Sequence, residues 1–312
     1  MERYLKKDGA IVLFFIFLVL FSAHAAADEL HQVTGMLPNK SETVYWSEMI
    51  EAMYEAAEEN GIELSILYTE EKILYTELTV NSALEIAGLS GAEAIILPYS
   101  KADEDTDELL LQLREAGVKI ILVDCDGASE LRDAFVGIDN FVAGYALGTY
   151  VFENLAEDQN VILSTTVLSS AKPNIAERIE GFQSAFEGEE DRLFLFEGDG
   201  EEEITNTQEL TSMIEEQENI GALVALSERA TLTSTQILSR LGLSDEIALY
   251  GFDRTDDTLA LLEAGSLQAL IGQQHREVGR ISIETALKLI NGEELSSDLV
   301  TVDYELIIEG TE

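Results

Sequence analysis

A chain of 312 residues, 46% of them hydrophobic, has room for about two domains of ~100–200 residues each and is too apolar to be disordered. Its 61 acidic residues against 18 lysines and arginines give a formal net charge of −43. That balance argues against nucleic-acid binding, which needs a basic surface to replace phosphate counterions, and by itself it describes only an acidic, well-solvated surface.

The N-terminus reads as a targeting segment. Arg3, Lys6 and Lys7 precede an apolar run over 10–21, and the small residues Ser22, Ala23, Ala25, Ala26 and Ala27 follow. Ala23 and Ala25 fit an A-x-A cleavage site, so residues 1–25 read as a signal peptide. The run is short of the ~20 residues a spanning helix needs, and an uncleaved membrane anchor is the alternative. Both place Asp28 onward outside the cytoplasm. Cys125 is the single cysteine, so no intramolecular disulfide forms, and no cysteine follows the apolar run to carry a lipid.

After this segment strands and helices alternate. Strands are expected at 30–37, 62–68, 94–98 and 118–123, with helices at 46–60, 76–89 and 106–116 between them. The pattern then restarts at Asp139-Asn140, a helix N-cap. Helices at 141–155, 175–186, 205–217 and 230–241 alternate with strands at 161–165, 192–197, 222–226 and 247–252. A helix at 278–291 and a strand or strand pair at 300–308 close the chain. Short β-rich runs separated by helices describe βαβ units around parallel sheets. The fold class is therefore α/β with two similar lobes, and a simple cut near Val136 would make them consecutive.

The most informative tract is Ile247-Ala-Leu-Tyr-Gly-Phe-Asp253, followed by a short amphipathic helix, Gly265 and a second apolar run ending in Gln273. It reads as strand, loop, helix, strand, with a polar side chain at the carboxyl end of each strand. In an open α/β sheet those ends line the ligand crevice. The tract resembles the C-terminal part of the type I periplasmic binding proteins, the ribose-binding-like group, and the resemblance extends over roughly 32–308. It implies two Rossmann-like lobes with parallel sheets joined by a three-crossover hinge near Gly137, Gln273 and Leu299. One lobe would hold 30–137 plus 274–299, the other 138–273 plus 300–312.

The same resemblance places ligand contacts. Asp253 and Gln273 match side chains that hydrogen-bond a sugar, and Asp124, at the end of the strand over 118–123, matches a ligand-gripping aspartate. Cys125 stands where the group has an arginine, and Ala176 where it has another. Ser227 and Glu228 replace an Asn-Asp pair, with N-capping of the next helix as the other role open to Ser227. Tyr45 and Trp46 match paired aromatics that pack on a sugar ring, or else pack the start of the first helix. Asn39 or Ser41, in a loop longer than the group's, would reach the cleft, and Asn174 is a substitute for a lost arginine. Arg178 matches as well but is expected to serve a structural ion pair, and His275 is expected at the surface. Two lost arginines with the acids retained predict a net-acidic cleft, suited to a neutral sugar or polyol, or to an amine, rather than an anion.

Chemistry is not expected. Asp124 and Asp126 flank Cys125 and oppose thiolate formation, three histidines are too few for a histidine-rich metal site, and no cofactor motif appears. The acid clusters at 187–191 and 201–203 lie in polar loops and read as solvated surface. The fold also serves bacterial repressors, but those carry a basic helix-turn-helix where this chain has its targeting segment. The expected function is an extracytoplasmic, monomeric solute-binding protein that delivers a sugar-like ligand to the permease of an ABC importer. The alternative is a protein that presents the ligand to a membrane sensor kinase or chemoreceptor.

Overall fold

The computed structural model describes residues 30–38, 44–69, 72–73, 76–99, 104–199 and 203–308. The targeting segment, Asn39, Ser41, Glu201 and Glu202 lie outside the described residues. Among the described residues no helix is long and apolar enough to cross a membrane.

The chain begins with β1 (His31–Pro38), α1 (Val44–Asn60), β2 (Ile62–Thr69), the short pair β3 (Lys72–Ile73) and β4 (Thr76–Glu77), and α2 (Val80–Leu89). It continues through β5 (Ala94–Leu97), α3 (Glu104–Glu115), β6 (Lys119–Val123) and β7 (Ala134–Gly137). The second series is α4 (Asn140–Asn154), β8 (Asn160–Thr165), α5 (Pro173–Ser184), β9 (Leu193–Glu197), α6 (Glu203–Glu216) and β10 (Ile220–Ala225). There follow α7 (Glu228–Leu241), β11 (Ala248–Phe252), α8 (Asp256–Glu263) and β12 (Ala269–Gln273), then α9 (His275–Ile290), β13 (Leu299–Thr301) and β14 (Tyr304–Ile308).

Two six-stranded sheets result, in the orders β2-β1-β5-β6-β7-β13 and β9-β8-β10-β11-β12-β14. Pairing within them is parallel except where β14 runs antiparallel to β12. In each sheet one strand has later neighbours on both sides, β1 between β2 and β5, and β8 between β9 and β10. These are topological switch points, and a crevice opens beyond the carboxyl ends of the strands there. Helices cover both faces of each sheet. Met49 and Met53 of α1 pack with Val278 and Ile283 of α9 on one face of the first sheet, and Leu84 and Leu110 on the other. On the second sheet Leu147, Phe182 and Phe186 take one face, Leu210, Ile237 and Leu262 the other.

The helix pair α4–α5 is held close by glycines. A Cβ at Gly144 would meet the Arg178 carbonyl, and one at Gly181 the Phe141 carbonyl. That contact fixes α5 and with it the position of Arg178. Strand β7 is absent from the sequence expectation, because its buried run Ala-Phe-Val-Gly is only four residues long. The helix expected from residue 76 starts at Val80: Thr79 accepts the Ser82 N–H and caps it, while 76–77 pair with 72–73.

The chain passes between the sheets at 137–140, 273–275 and 301–304. The third passage follows Thr301 rather than lying near Leu299, because β13 pairs with β7 of the first sheet through Thr301. The Val302 N–H donates to the Gly137 carbonyl at 2.8 Å and ties the first and third passages together.

Candidate functional site

The carboxyl ends of both sheets face one cleft of about 320 Å³. Pro38 and Pro98 mark the switch point of the first sheet, Thr166 and Ser227 that of the second, and all four line it. Tyr45, Trp46 and Asp124 line it from the first lobe, and Ser227, Glu228, Asp253 and Gln273 from the second. The structure therefore brings together seven of the eight expected residues.

The two aspartates hold equivalent places, Asp124 after β6 and Asp253 after β11. Both adopt left-handed backbone conformations, φ 61° and 72°. Such a conformation costs an ordinary L-residue roughly 1–2 kcal/mol, less for aspartate, and turns each side chain off its strand end. The Asp253 carboxylate accepts the Gln273 amide at 2.6 Å on one oxygen and the Glu228 N–H at 2.8 Å on the other. The second bond caps the first turn of α7, where the helix dipole favours an anion. Across the cleft, the Asn174 side-chain amide donates to Asp124 at 3.3 Å and links the lobes. Burial raises the Asp124 pKa, Arg178 opposes the rise and the Asp253 charge adds to it.

Tyr45 and Trp46 meet edge to face with ring centroids 4.8 Å apart. Trp46 is half-buried, whereas Tyr45 is buried and packs on the His275 ring at 4.4 Å. The Tyr45 hydroxyl has no partner in hydrogen-bond geometry among the described residues, although it interacts with the Asp124 carboxylate. Burial and then the Asp124 and Asp253 charges hold its pKa well above the usual phenol value. Ser227 performs the capping role its position allows, its Oγ accepting the Ala230 N–H at 3.3 Å, and lines the cleft as well. Glu228 is 7% exposed, and its Oε2 has no partner in hydrogen-bond geometry among the described residues. Burial raises its pKa, the Asp253 and Asp257 charges add to the rise, and Thr255 and Arg229 act against it.

Four expectations are corrected. Cys125 does not line the cleft: its carbonyl accepts the Tyr99 N–H at 3.0 Å, and its side chain is 1% exposed, buried beside the Asn174 backbone of the other lobe, where burial pushes the thiol up to about 12. Arg178 makes no ion pair within contact distance among the described residues. Its Nε donates to Asn140 Oδ1 at 2.9 Å, an Nη to the Leu226 carbonyl at 2.8 Å, and the guanidinium lies 4.4 Å from the Phe252 ring centroid. It lines the cleft with Lys172 and Arg229, so three cations stand against Asp124, Glu228 and Asp253, and the cleft is balanced rather than net-acidic. The signal was present: Asn174 and Arg178 lie four residues apart on α5, one helical turn, and so share a face.

The fourth correction is His275, which is 2% exposed at the second passage. Its Nδ1 lies 3.5 Å from the Glu48 carboxylate and its Nε2 has no partner. Burial lowers its pKa, while Asp253, Glu48 and Asp124 act the other way. With the folded value lowered, the unfolded chain takes up the proton first, so stability is lost as pH falls below the ordinary imidazole value of ~6.5. Asp124 and Glu228, both raised, contribute in the opposite sense as pH falls, so the comparison needs a variant. Between about pH 7.5 and 5.5 the urea midpoint of the wild type is expected to fall relative to that of His275→Asn. Parallel curves would show that His275 carries no folding-linked proton.

Two α/β lobes, three passages and a cleft walled by both strand-end sets define a binding protein of the hinged, two-lobed class. The Periplasmic binding protein domain family matches residues 34–294, and the chain belongs to that family. The ribose import binding protein of Haemophilus influenzae is 20% identical over 297 residues, 94% of this chain and 95% of the relative. That of Escherichia coli is 23% identical over 215 residues, 69% of this chain and 71% of its own. The fold is shared with GanP, a glucose-galactose binding protein from Geobacillus stearothermophilus (TM-score 0.79, 18% identity, 90% of this chain and 98% of that one). It is also shared with a chain of the XylFII-LytSN complex (TM-score 0.75, 21% identity, 90% and 98%).

Proposed function

We propose that this protein is an extracytoplasmic solute-binding protein that closes its lobes on one small sugar-like ligand and delivers it to an ABC importer. The carrying observation is the cleft between the lobes, where Asp124 and Asp253 stand on left-handed strand ends and Trp46 offers an aromatic wall. Carboxylates and amides at fixed strand ends suit vicinal hydroxyls, and an aromatic face suits the C–H surface of a sugar ring. Hinge closure couples binding to a change of outer surface that a permease reads. Relatives named as ribose import binding proteins support the same reading. A second reading, presentation of the ligand to a membrane sensor, is favoured by the likeness to a chain found in the XylFII-LytSN complex.

Trp46 is the only tryptophan, so intrinsic emission reports a single site. Titration with a panel of pentoses, hexoses and polyols, each also scored by thermal shift, is expected to change Trp46 emission for the sugars that raise the melting temperature. A stabilising sugar that leaves the emission unchanged would remove Trp46 from the contact surface. Cross-linking in host membranes, followed by identification of the captured partner, separates a permease subunit from a receptor.

A further inference from the structure

We propose that the cleft selects a ligand bearing a protonated amino group, an amino sugar or aminated polyol, whose ammonium seats against Glu228 and Asp253. This rests on the solute-binding reading and names the substrate class of the same site.

Depth matters more than the three-against-three count of charges. Arg178 is 2% exposed, Asp253 8% and Glu228 7%, whereas Arg229 is exposed and Lys172 half-buried. The cations at the mouth are hydrated and screened; the groups below are not. Arg178, the one deep cation lining the cleft, offsets the charge of Asp124. Asp253 is held by two neutral donors, the Gln273 amide and the Glu228 N–H, and forms no ion pair among the described residues. Glu228 lies beside it, with Oε2 buried and no donor in hydrogen-bond geometry among the described residues; the Thr255 hydroxyl is the neutral group that favours its charge. Glu228 and Asp253 therefore stand together with no ion pair among the described residues and with one buried acceptor oxygen unfilled.

A buried carboxylate oxygen without a donor is costly, more so than a neutral acceptor. A sugar hydroxyl supplies one O–H and no charge. An ammonium supplies three N–H donors and the missing positive charge, in a cleft where closure strengthens the attraction. An anionic ligand would find one deep cation, Arg178, whose charge already offsets Asp124, and would add a third negative charge beside Glu228 and Asp253.

The test is calorimetric titration near neutral pH with D-glucosamine and D-galactosamine, the neutral counterparts D-glucose and D-galactose, and N-acetyl-D-glucosamine. At least one amino sugar is expected to bind about ten-fold or more tightly than its neutral counterpart, and acetylation, which removes the charge, to erase the advantage. Glu228→Gln keeps the side-chain size and is expected to bring the amino-to-neutral ratio close to one; its unliganded melt verifies the fold. Equal or tighter binding of the neutral sugar overturns the inference and leaves the solute-binding reading standing. A Glu228→Gln variant that keeps the wild-type ratio also overturns it. Binding of none of the five sugars would overturn the inference together with the reading it rests on.

Discussion

Asp253→Ala is expected to abolish sugar-induced thermal stabilisation while the protein still folds, and Asp253→Asn to do nearly the same at a smaller cost in stability. The carboxylate is the junction of three structural elements: it ends β11, accepts the Gln273 amide from the second passage, and caps α7 through the Glu228 N–H. Truncation to alanine leaves two buried donors unsatisfied, at about 1–3 kcal/mol each, and asks alanine to hold a φ of 72°, for about 1 kcal/mol more. Asparagine tolerates that backbone and keeps one acceptor, so it separates the structural cost from the binding cost. Both variants lose the charged acceptor that a bound hydroxyl or ammonium would use, and affinity is expected to fall about 100-fold, since a hydrogen bond to a charged group contributes about 1.5–3 kcal/mol. Melting curves with and without a stabilising sugar decide the matter. An Asp253→Asn protein that keeps its full ligand-induced shift would take the carboxylate out of the binding surface.

The α/β class and the alternation of elements were legible because each strand is a short β-rich run and each helix carries an apolar stripe. Where the chain passes between lobes was legible only through resemblance, since periodicity says nothing about which sheet a strand joins. Strand β13 shows the limit: Val300 and Thr301 read as part of a terminal strand or strand pair with no sheet assigned, and they pair with Val136 and Gly137 of the first sheet. The site residues that went astray depend on direction rather than on sequence position. Asp124 and Cys125 are adjacent, but the left-handed turn at Asp124 puts one side chain in the cleft and leaves the other buried outside it. His275 looked like a surface residue because only polar neighbours adjoin it in sequence, whereas in space Tyr45 packs on its ring. For Arg178, resemblance supplied the match and an ion pair was expected; its contacts, Asn140, Leu226 and Phe252, come from three separate segments.

Those contacts make Arg178 the side chain whose loss is expected to do most damage to the lobe. Arg178→Met removes the donors that satisfy Asn140 Oδ1 and the Leu226 carbonyl, and it removes a cation stacked on Phe252. Breaking a buried charged network by deleting one member costs about 3–5 kcal/mol, which at roughly 2–4 °C per kcal/mol corresponds to a melting temperature lower by about 10 °C. Arg178→Lys keeps the charge without the planar fork and is expected to fall between the two. The pH dependence identifies the cause. Arg178 is the largest influence lowering the Asp124 pKa against its burial, so the variant's Asp124 value rises further. A carboxyl whose folded value lies above its unfolded value contributes stability that is fully present below the unfolded value and is lost as pH rises through the folded one. The deficit of Arg178→Met relative to wild type should therefore be larger near pH 7.5 than near pH 4.5, read as urea midpoints at both. A deficit independent of pH would mean that Arg178 holds the lobe by its hydrogen bonds and its stack on Phe252 alone, and that the charge of Asp124 is met from elsewhere.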